Sequence, residues 1–410
     1  QPVVRKAELL RGGCTEEEAN FLNGRSLMAL ASGISHGYGC VLFPEGTSHN
    51  NSYMIRFRTG PMRTVLAASA LAKSTGKELP VLIPMGLHFR TREYFRTDVW
   101  VEYGEPIQIE DGDVPQNLVD AVSTGSWSEP PAESVFKLRD KLRDDLVPLS
   151  PNTHSWDEYR GLLLLGHVKG RMEHNPPKSW RAEVEQARSL RNKYNSGPKS
   201  MNVDDLQPSK ITETLVAKSE QAARILHENG MDGRDLNFDS TSLAKPEVSK
   251  LPLATIRIGL FIALLPVFLI SLLPQIILGR ILGDSTDEGI DARTSYQFLA
   301  AMFGSILIWP ISSTIIVALL YWQAGTIEHT IHINWIEAFG MSQFSMGLSI
   351  FMLWLAMFPV SLFTGQLFSL VWDDYVDLRG YLRKLKMSTQ TKNELFQIIT
   401  EMKQEIFNAK

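Results

Sequence analysis

The sequence predicts an α/β unit, with a mostly parallel sheet flanked by helices, followed by a helical appendage and a helical membrane region. Three observations predict this. The first hundred residues alternate helix-like segments with short apolar strand-like ones. Residues 115–250 read as polar helices separated by loops containing Pro, Ser and Asn. The last third of the 410 residues holds three long uncharged runs.

In the first unit, residues 1–114, Thr15 and Glu18 stand at capping-box spacing. Phe21, Leu22, Leu27, Met28 and Leu30 then fit a helix reaching about Ser32, before Gly33. Cys40–Phe43 is short and apolar, as a buried strand would be. After Pro61, Met62–Lys73 reads as a second helix and "PVLIPMGL", Pro80 to Leu87, as a second buried strand. Asp98–Tyr103 alternates apolar and polar residues, which suits a half-buried strand near the sheet margin. In residues 115–250 the helical stretches are Ala132–Leu146, Trp180–Tyr194 and Ile211–Asn229, with linkers around Asn195–Lys210 and Asp235–Lys250.

The membrane region, residues 251–372, contains Ile258–Leu278, Phe298–Trp322 and Gly347–Trp372, uncharged for 21, 25 and 26 residues. Each is long enough to cross a hydrocarbon core of about 30 Å. Pro266 and Pro274 remove backbone donors inside the first, so 258–278 is expected to kink or re-enter. The Gln323–Phe344 loop has no Lys or Arg, whereas Arg379, Arg383, Lys384, Lys386 and Lys392 follow Trp372. The positive-inside tendency therefore puts that loop outside and the tail on the cytoplasmic side. Residues 373–410 end in an amphipathic helix, with Thr391 and Glu394 at capping-box spacing and Leu395, Ile399, Met402 and Ile406 on one face. This face could rest on the bilayer or on the α/β unit.

Two cysteines, Cys14 and Cys40, exclude a disulfide framework and suit a reducing, cytosol-facing globular part. From Gln1 onward there is no charged segment followed by an apolar one, so no signal peptide is expected there. The net charge of −4 is uninformative, but residues 49–97 carry eight Lys or Arg against Glu78 and Glu93. That local excess suits an anionic ligand, although a solvated basic face would look the same. A transporter is disfavoured because the apolar runs lack Asp, Glu, Lys and Arg.

The stretch "VLFPEGTSHN", Val41 to Asn50, is the chemically distinctive one. Taken alone, Pro-Glu-Gly after a strand reads as a turn. Its company changes that: "PVVR" (Pro2–Arg5) precedes it, and "RFRTGP" (Arg56–Pro61) and "VLIPMGLHF" (Val81–Phe89) follow. In this order the four blocks resemble the glycerophosphate acyltransferase family of membrane enzymes. "FPEGTSH", "RFRTG" and "REYFRTDVWVEYGEPI" are similar to its fungal-type branch, which acylates glycerol 3-phosphate and dihydroxyacetone phosphate.

The resemblance implies an acyltransferase in which a histidine acts as general base on the acceptor hydroxyl and an aspartate orients it. That H-x-x-x-x-D motif precedes the arginine block matched by "PVVR", so it is expected upstream of Gln1, in an N-terminal part absent from this chain, which alone should be inactive. His36 has Val41 five positions on and cannot supply it. His227 and Asp232 have the spacing but follow every other block. Arg5 and Arg58 are assigned to the acceptor phosphate, for which the planar guanidinium fork suits two hydrogen bonds. Glu45 would accept from the acceptor's hydroxyls, Gly46 would let backbone approach, and Thr47 or Ser48 would donate. Glu45 would equally serve by holding its turn through backbone amides. Pro84 and Gly86 match the block beside the acyl donor, though a strand end entering a turn would look alike.

Many relatives that acylate lysophosphatidate carry a basic residue directly after FPEGT, where this chain has Ser48 and then His49. That difference favours glycerol 3-phosphate, with Arg56, Arg63 or Arg90 able to compensate. The partners implied are the lipid bilayer, glycerol 3-phosphate and an acyl thioester, either acyl-CoA or an acyl carrier protein. No cofactor, metal or nucleic acid is implied. A lysophospholipid acceptor and a non-catalytic lipid-binding pseudoenzyme remain the alternatives.

Overall fold

The computed structural model describes residues 6–47, 49–91, 96–195, 207–285, 290–331 and 343–408. It is mostly helical. Helix α1 covers Lys6–Arg11 and α2 covers Glu16–Ser35. Thr15 and Glu18 form the reciprocal capping box: the Glu18 N–H donates to the Thr15 hydroxyl and the Thr15 N–H to the Glu18 carboxylate, at 3.3 and 2.9 Å. Helix α3, Gly60–Ser74, begins with Pro61 in its first turn, where a missing N–H costs nothing. Its small residues Ala67 and Ala68 pack against Ala31 of α2.

The expected mostly parallel sheet is not found among the described residues. Strands β1 (Met85–Phe89) and β2 (Val99–Tyr103) pair antiparallel, Met85 opposite Tyr103 through Phe89 opposite Val99. The bridge Leu82–Ile107 extends the pairing. Residues 90–98 are too short a connection for parallel neighbours, which need a crossover of about a dozen residues or more. Cys40–Phe43 is not a strand, and Val41 and Phe43 are exposed. The alternation in β2 was legible, but its polarity is the reverse of a simple core strand. His88, Trp100 and Glu102 face the protein, while Leu87, Phe89, Val101 and Tyr103 face outward.

Helices α4 (Gln116–Ser123) and α5 (Ala132–Leu146) share a core with α3 and the bridge strand segment, built from Met62, Leu66, Ile107, Val114, Val122 and Leu142 among others. A second core joins α6 (Trp156–Met172), α7 (Trp180–Tyr194) and α8 (Thr214–Glu228).

Helix α9 (Leu251–Ala263) opens the apolar region, followed by the short α10 (Leu265–Val267), a π-helical stretch at Phe268–Leu272, and α11 (Leu273–Asp284). Pro266 follows a break at Leu264, whereas Pro274 sits just after the change from π- to α-helix within a stretch that stays helical from Leu265 to Asp284. Helices α12 (Ile290–Ile331) and α13 (Gln343–Lys386) complete it. Three helical stretches are long and apolar enough to cross a membrane: Leu265–Asp284, Ser295–Gln323 and Gly347–Lys386.

The final helix, α14 (Thr389–Asn408), is capped by Ser388, whose hydroxyl accepts the Thr391 N–H at 3.0 Å, and not by Thr391. Its face of Leu395, Ile398, Ile399, Met402 and Ile406 is buried in the second core. Lys218 of α8 pairs with Glu401 and Glu405 alongside. The amphipathic face thus rests neither on the bilayer nor on the first core. The chain leaves the second core to enter the apolar helices and returns to it afterwards.

Candidate acceptor site

The site is built around a turn. The Gly46 N–H donates to the Phe43 carbonyl at 3.2 Å, and Gly46 sits at φ +68°, left-handed backbone that glycine adopts without penalty. A Cβ there would stand 2.9 Å from Cγ of Arg58. The Arg58 N–H in turn donates to the Pro44 carbonyl at 2.6 Å. The backbone therefore lays "RFRTG" onto "FPEG", and the Arg58 stem crosses the face of Gly46. The guanidinium ends exposed, and among the described residues neither Arg58 nor the likewise exposed Arg56 has an ion-pair partner.

Glu45 lies beside this turn with its side chain 19% exposed. Its Oε1 accepts the Ile55 N–H at 2.7 Å and faces His49 Nε2 at 2.8 Å. Glu45 thus holds the loop between the two blocks. Among the described residues its Oε2 accepts no hydrogen bond. Thr47 is exposed at the rim. Arg5 and Ser48 lie outside the described residues.

The loop is stapled to the second core from behind. Trp156 Nε1 donates to the Asn50 carbonyl at 2.7 Å, the Ser52 hydroxyl to the Thr153 carbonyl at 2.7 Å, and the Thr153 N–H to the Ser52 carbonyl at 3.4 Å. Sequence reasoning missed Asn50, Ser52 and Trp156 because their partners lie about a hundred positions away. For His49 a signal existed in the four-residue spacing from Glu45.

Pro84 and Gly86 are engaged elsewhere. The Gly104 N–H donates to the Pro84 carbonyl at 2.8 Å. A Cβ on Gly86 would meet the Leu149 carbonyl oxygen at 2.6 Å and His88 Nε2 at 3.1 Å. These contacts pack the hairpin closely on Leu149.

The other basic candidates separate sharply. Arg63 pairs with Glu129 at 3.2 Å. Arg90 forks onto Glu183 at 2.6 and 2.7 Å, reaches Asp98 at 2.8 Å, and lies over the Trp180 ring at 4.4 Å. It is a structural joint between the hairpin and α7, which removes it as a phosphate contact. Burial would raise the Glu183 carboxyl, but His167 and Arg90 overcome this and hold it below the usual range. Burial pushes the His88 imidazole down, partly opposed by Glu102, whose carboxylate also receives the fork of Arg188. Asp232, the other half of the H-x-x-x-x-D spacing, pairs with Arg234 at 2.7 Å and caps the turn at Gly233–Asp235. His227 lies in the last turn of α8. That spacing is structural. Among the described residues no cluster of His, Cys, Asp and Glu is arranged for a metal ion.

No family model and no solved structure matches the chain. Among curated proteins it is similar to glycerol-3-phosphate O-acyltransferase 2 of Saccharomyces cerevisiae, 29% identical over 151 residues. The match covers 37% of this chain and spans 19% of that relative's length. With the FPEG turn and its arginine block folded together, the comparison supports one relationship: the chain is related to the glycerophosphate acyltransferases.

Proposed function

We propose that this chain belongs to a membrane-bound acyltransferase that moves a fatty acyl group from an acyl thioester to the sn-1 hydroxyl of glycerol 3-phosphate, or the matching hydroxyl of dihydroxyacetone phosphate. The observation that carries this reading is the Arg58–Glu45 arrangement. Among the described residues Arg58 has no ion-pair partner and Glu45 Oε2 accepts no hydrogen bond, and the two residues belong to one turn whose glycine admits close approach.

The acceptor's phosphate would sit on the Arg58 fork, with Arg56 adding positive potential. Its hydroxyls would donate to Glu45 Oε2. The reacting hydroxyl oxygen attacks the thioester carbonyl, the C–S bond breaks, the thiol leaves, and the ester forms. The resemblance assigns the base that takes the hydroxyl proton to the H-x-x-x-x-D motif, which residues 1–44 do not contain. Three helices long and apolar enough to cross a membrane support the membrane-bound reading. The basic residues after Trp372, together with the shared second core, favour the cytoplasmic face for both soluble units and the tail.

The test is acceptor kinetics on the full-length protein. Arg58→Ala should raise the glycerol 3-phosphate KM by about tenfold or more, the worth of a charge-assisted hydrogen bond, and leave the donor KM within about twofold. An unchanged acceptor KM overturns the assignment. Competition between glycerol 3-phosphate and lysophosphatidate on the wild type decides the acceptor class.

A further inference from the structure

The geometry points to His49 as a positioning residue that fixes the direction in which Glu45 meets the acceptor. This rests on the acceptor-site reading above and deepens it.

The protonation pattern of the ring follows from its neighbours. The Asn51 backbone N–H, which can only donate, meets His49 Nδ1 at 3.1 Å. Nδ1 must therefore be the bare, accepting nitrogen. The ring proton sits on Nε2, which faces Glu45 Oε1 at 2.8 Å and donates to it. Both nitrogens are engaged, so His49 is not set up to take a proton from a hydroxyl and is no substitute for a catalytic base.

What it does is mechanical. Oε1 receives two donors, the imidazole N–H and the Ile55 N–H at 2.7 Å. Two donors on one oxygen fix the carboxylate plane, which a single donor would leave free to swing. The second oxygen, Oε2, is then presented in one direction. The ring is itself held: residues 50–52 are anchored to the second core by Trp156 and Thr153, and His49 is only 20% exposed. A chain of contacts thus runs from the second core through residues 50–52 to His49, then Glu45, then the acceptor hydroxyl.

Such a carboxylate selects a ligand carrying a free hydroxyl at a fixed distance from its phosphate, a polyol phosphate. Inorganic phosphate would gain from Arg58 and nothing from Glu45.

The experiment uses the full-length protein with palmitoyl-CoA as donor and glycerol 3-phosphate varied. His49→Ala should raise the acceptor KM about tenfold with the donor KM within about twofold, a loss on the order of one charge-assisted hydrogen bond. His49→Gln, whose amide N–H can reach the same carboxylate oxygen, should restore the acceptor KM to within about threefold of wild type. Inhibition by inorganic phosphate should be the same in all three proteins. An acceptor KM unmoved in His49→Ala, a His49→Gln variant as impaired as His49→Ala, or a donor KM rising in parallel overturns the assignment. If the wild type shows no dependence on glycerol 3-phosphate, the acceptor-site reading falls and takes this assignment with it. If the wild type shows that dependence and only the His49 outcomes fail, the acceptor-site reading stands.

Discussion

Gly46 shows how one missing side chain shapes the site. At φ +68°, an alanine would pay about 1–2 kcal/mol for left-handed backbone alone. Its methyl would also push the Arg58 stem, whose Cγ lies 2.9 Å from the Cβ position. That stem can move, so Gly46→Ala should fold, melt a few degrees lower by differential scanning fluorimetry, and lose acceptor affinity through displaced Arg58. An unchanged acceptor KM would show that the close approach is incidental. Blocks in a fixed order mark Glu45, Gly46 and Arg58 in the sequence as acceptor-site candidates, and the fold brings them to one turn. What Glu45 spends Oε1 on was not legible, because the Ile55 N–H and the His49 ring are chosen by the fold of the loop. Arg90 looked equally available as a cation. Its partner Glu183 lies 93 positions away, and no local pattern announces such a pair.

Among the elements, the β1–β2 hairpin and α7 are joined by charges, and this joint should respond to acid. Glu183 is 5% exposed, and its carboxyl is held below the usual range although burial opposes this. A depressed carboxylate contributes stability above its unfolded value of 4.5, lost as pH falls through the folded value. Hydrogen exchange in β1 and β2 should therefore accelerate as pH is lowered below about 4.5, beyond the intrinsic pH trend. In Glu183→Gln, which leaves Arg90 only Asp98 and the more distant Asp232 as carboxylate partners, the hairpin should be loosened at neutral pH by about 1–3 kcal/mol and the acid response weakened, with Glu102 and Asp232 retaining their share. The tail helix α14 tells a complementary story. Its apolar face was readable from four-residue spacing, yet the surface it would meet was not. Ile399 is fully buried, so Ile399→Ala should cost about 2–5 kcal/mol and expose the tail to limited proteolysis. The strand expected at Cys40–Phe43 failed for the converse reason: an apolar run forms a strand only where a neighbour offers a ladder.

For the whole molecule, the second core constrains the membrane path. Residues before 251 and after 386 contribute to the same hydrophobic cluster, which fits the proposal that the chain enters and leaves a bilayer on one side. On that proposal one of the three apolar helices does not cross, and the proline-containing segment 251–284 is the candidate. A lone cysteine at Ser285, with Cys14 and Cys40 replaced, should react with an impermeant maleimide from the side of the soluble units. Labelling from the opposite side alone would rule out re-entry. The three apolar helices were legible because length and lack of charge are one-dimensional properties. The long-range joints were not: Arg96 forks onto Asp373 at 2.7 and 2.8 Å across 277 positions and ties the hairpin connection to α13, and Arg257 meets Asp374 at 3.0 Å and ties α9 to α13.

Helix α13 runs unbroken from Gln343 to Lys386, and its internal proline, Pro359, lies within the apolar part. At about 1.5 Å per residue, the 14 residues after Trp372 form a straight rod of about 21 Å beyond the last apolar turn. Arg96 grips the foot of that rod at Asp373, and Arg383 and Lys384 grip its far end through the Gly230 carbonyl and Asp235. The rod is a strut: it fixes the second core, and with it the loop that this core holds, relative to the last apolar turn of the helix.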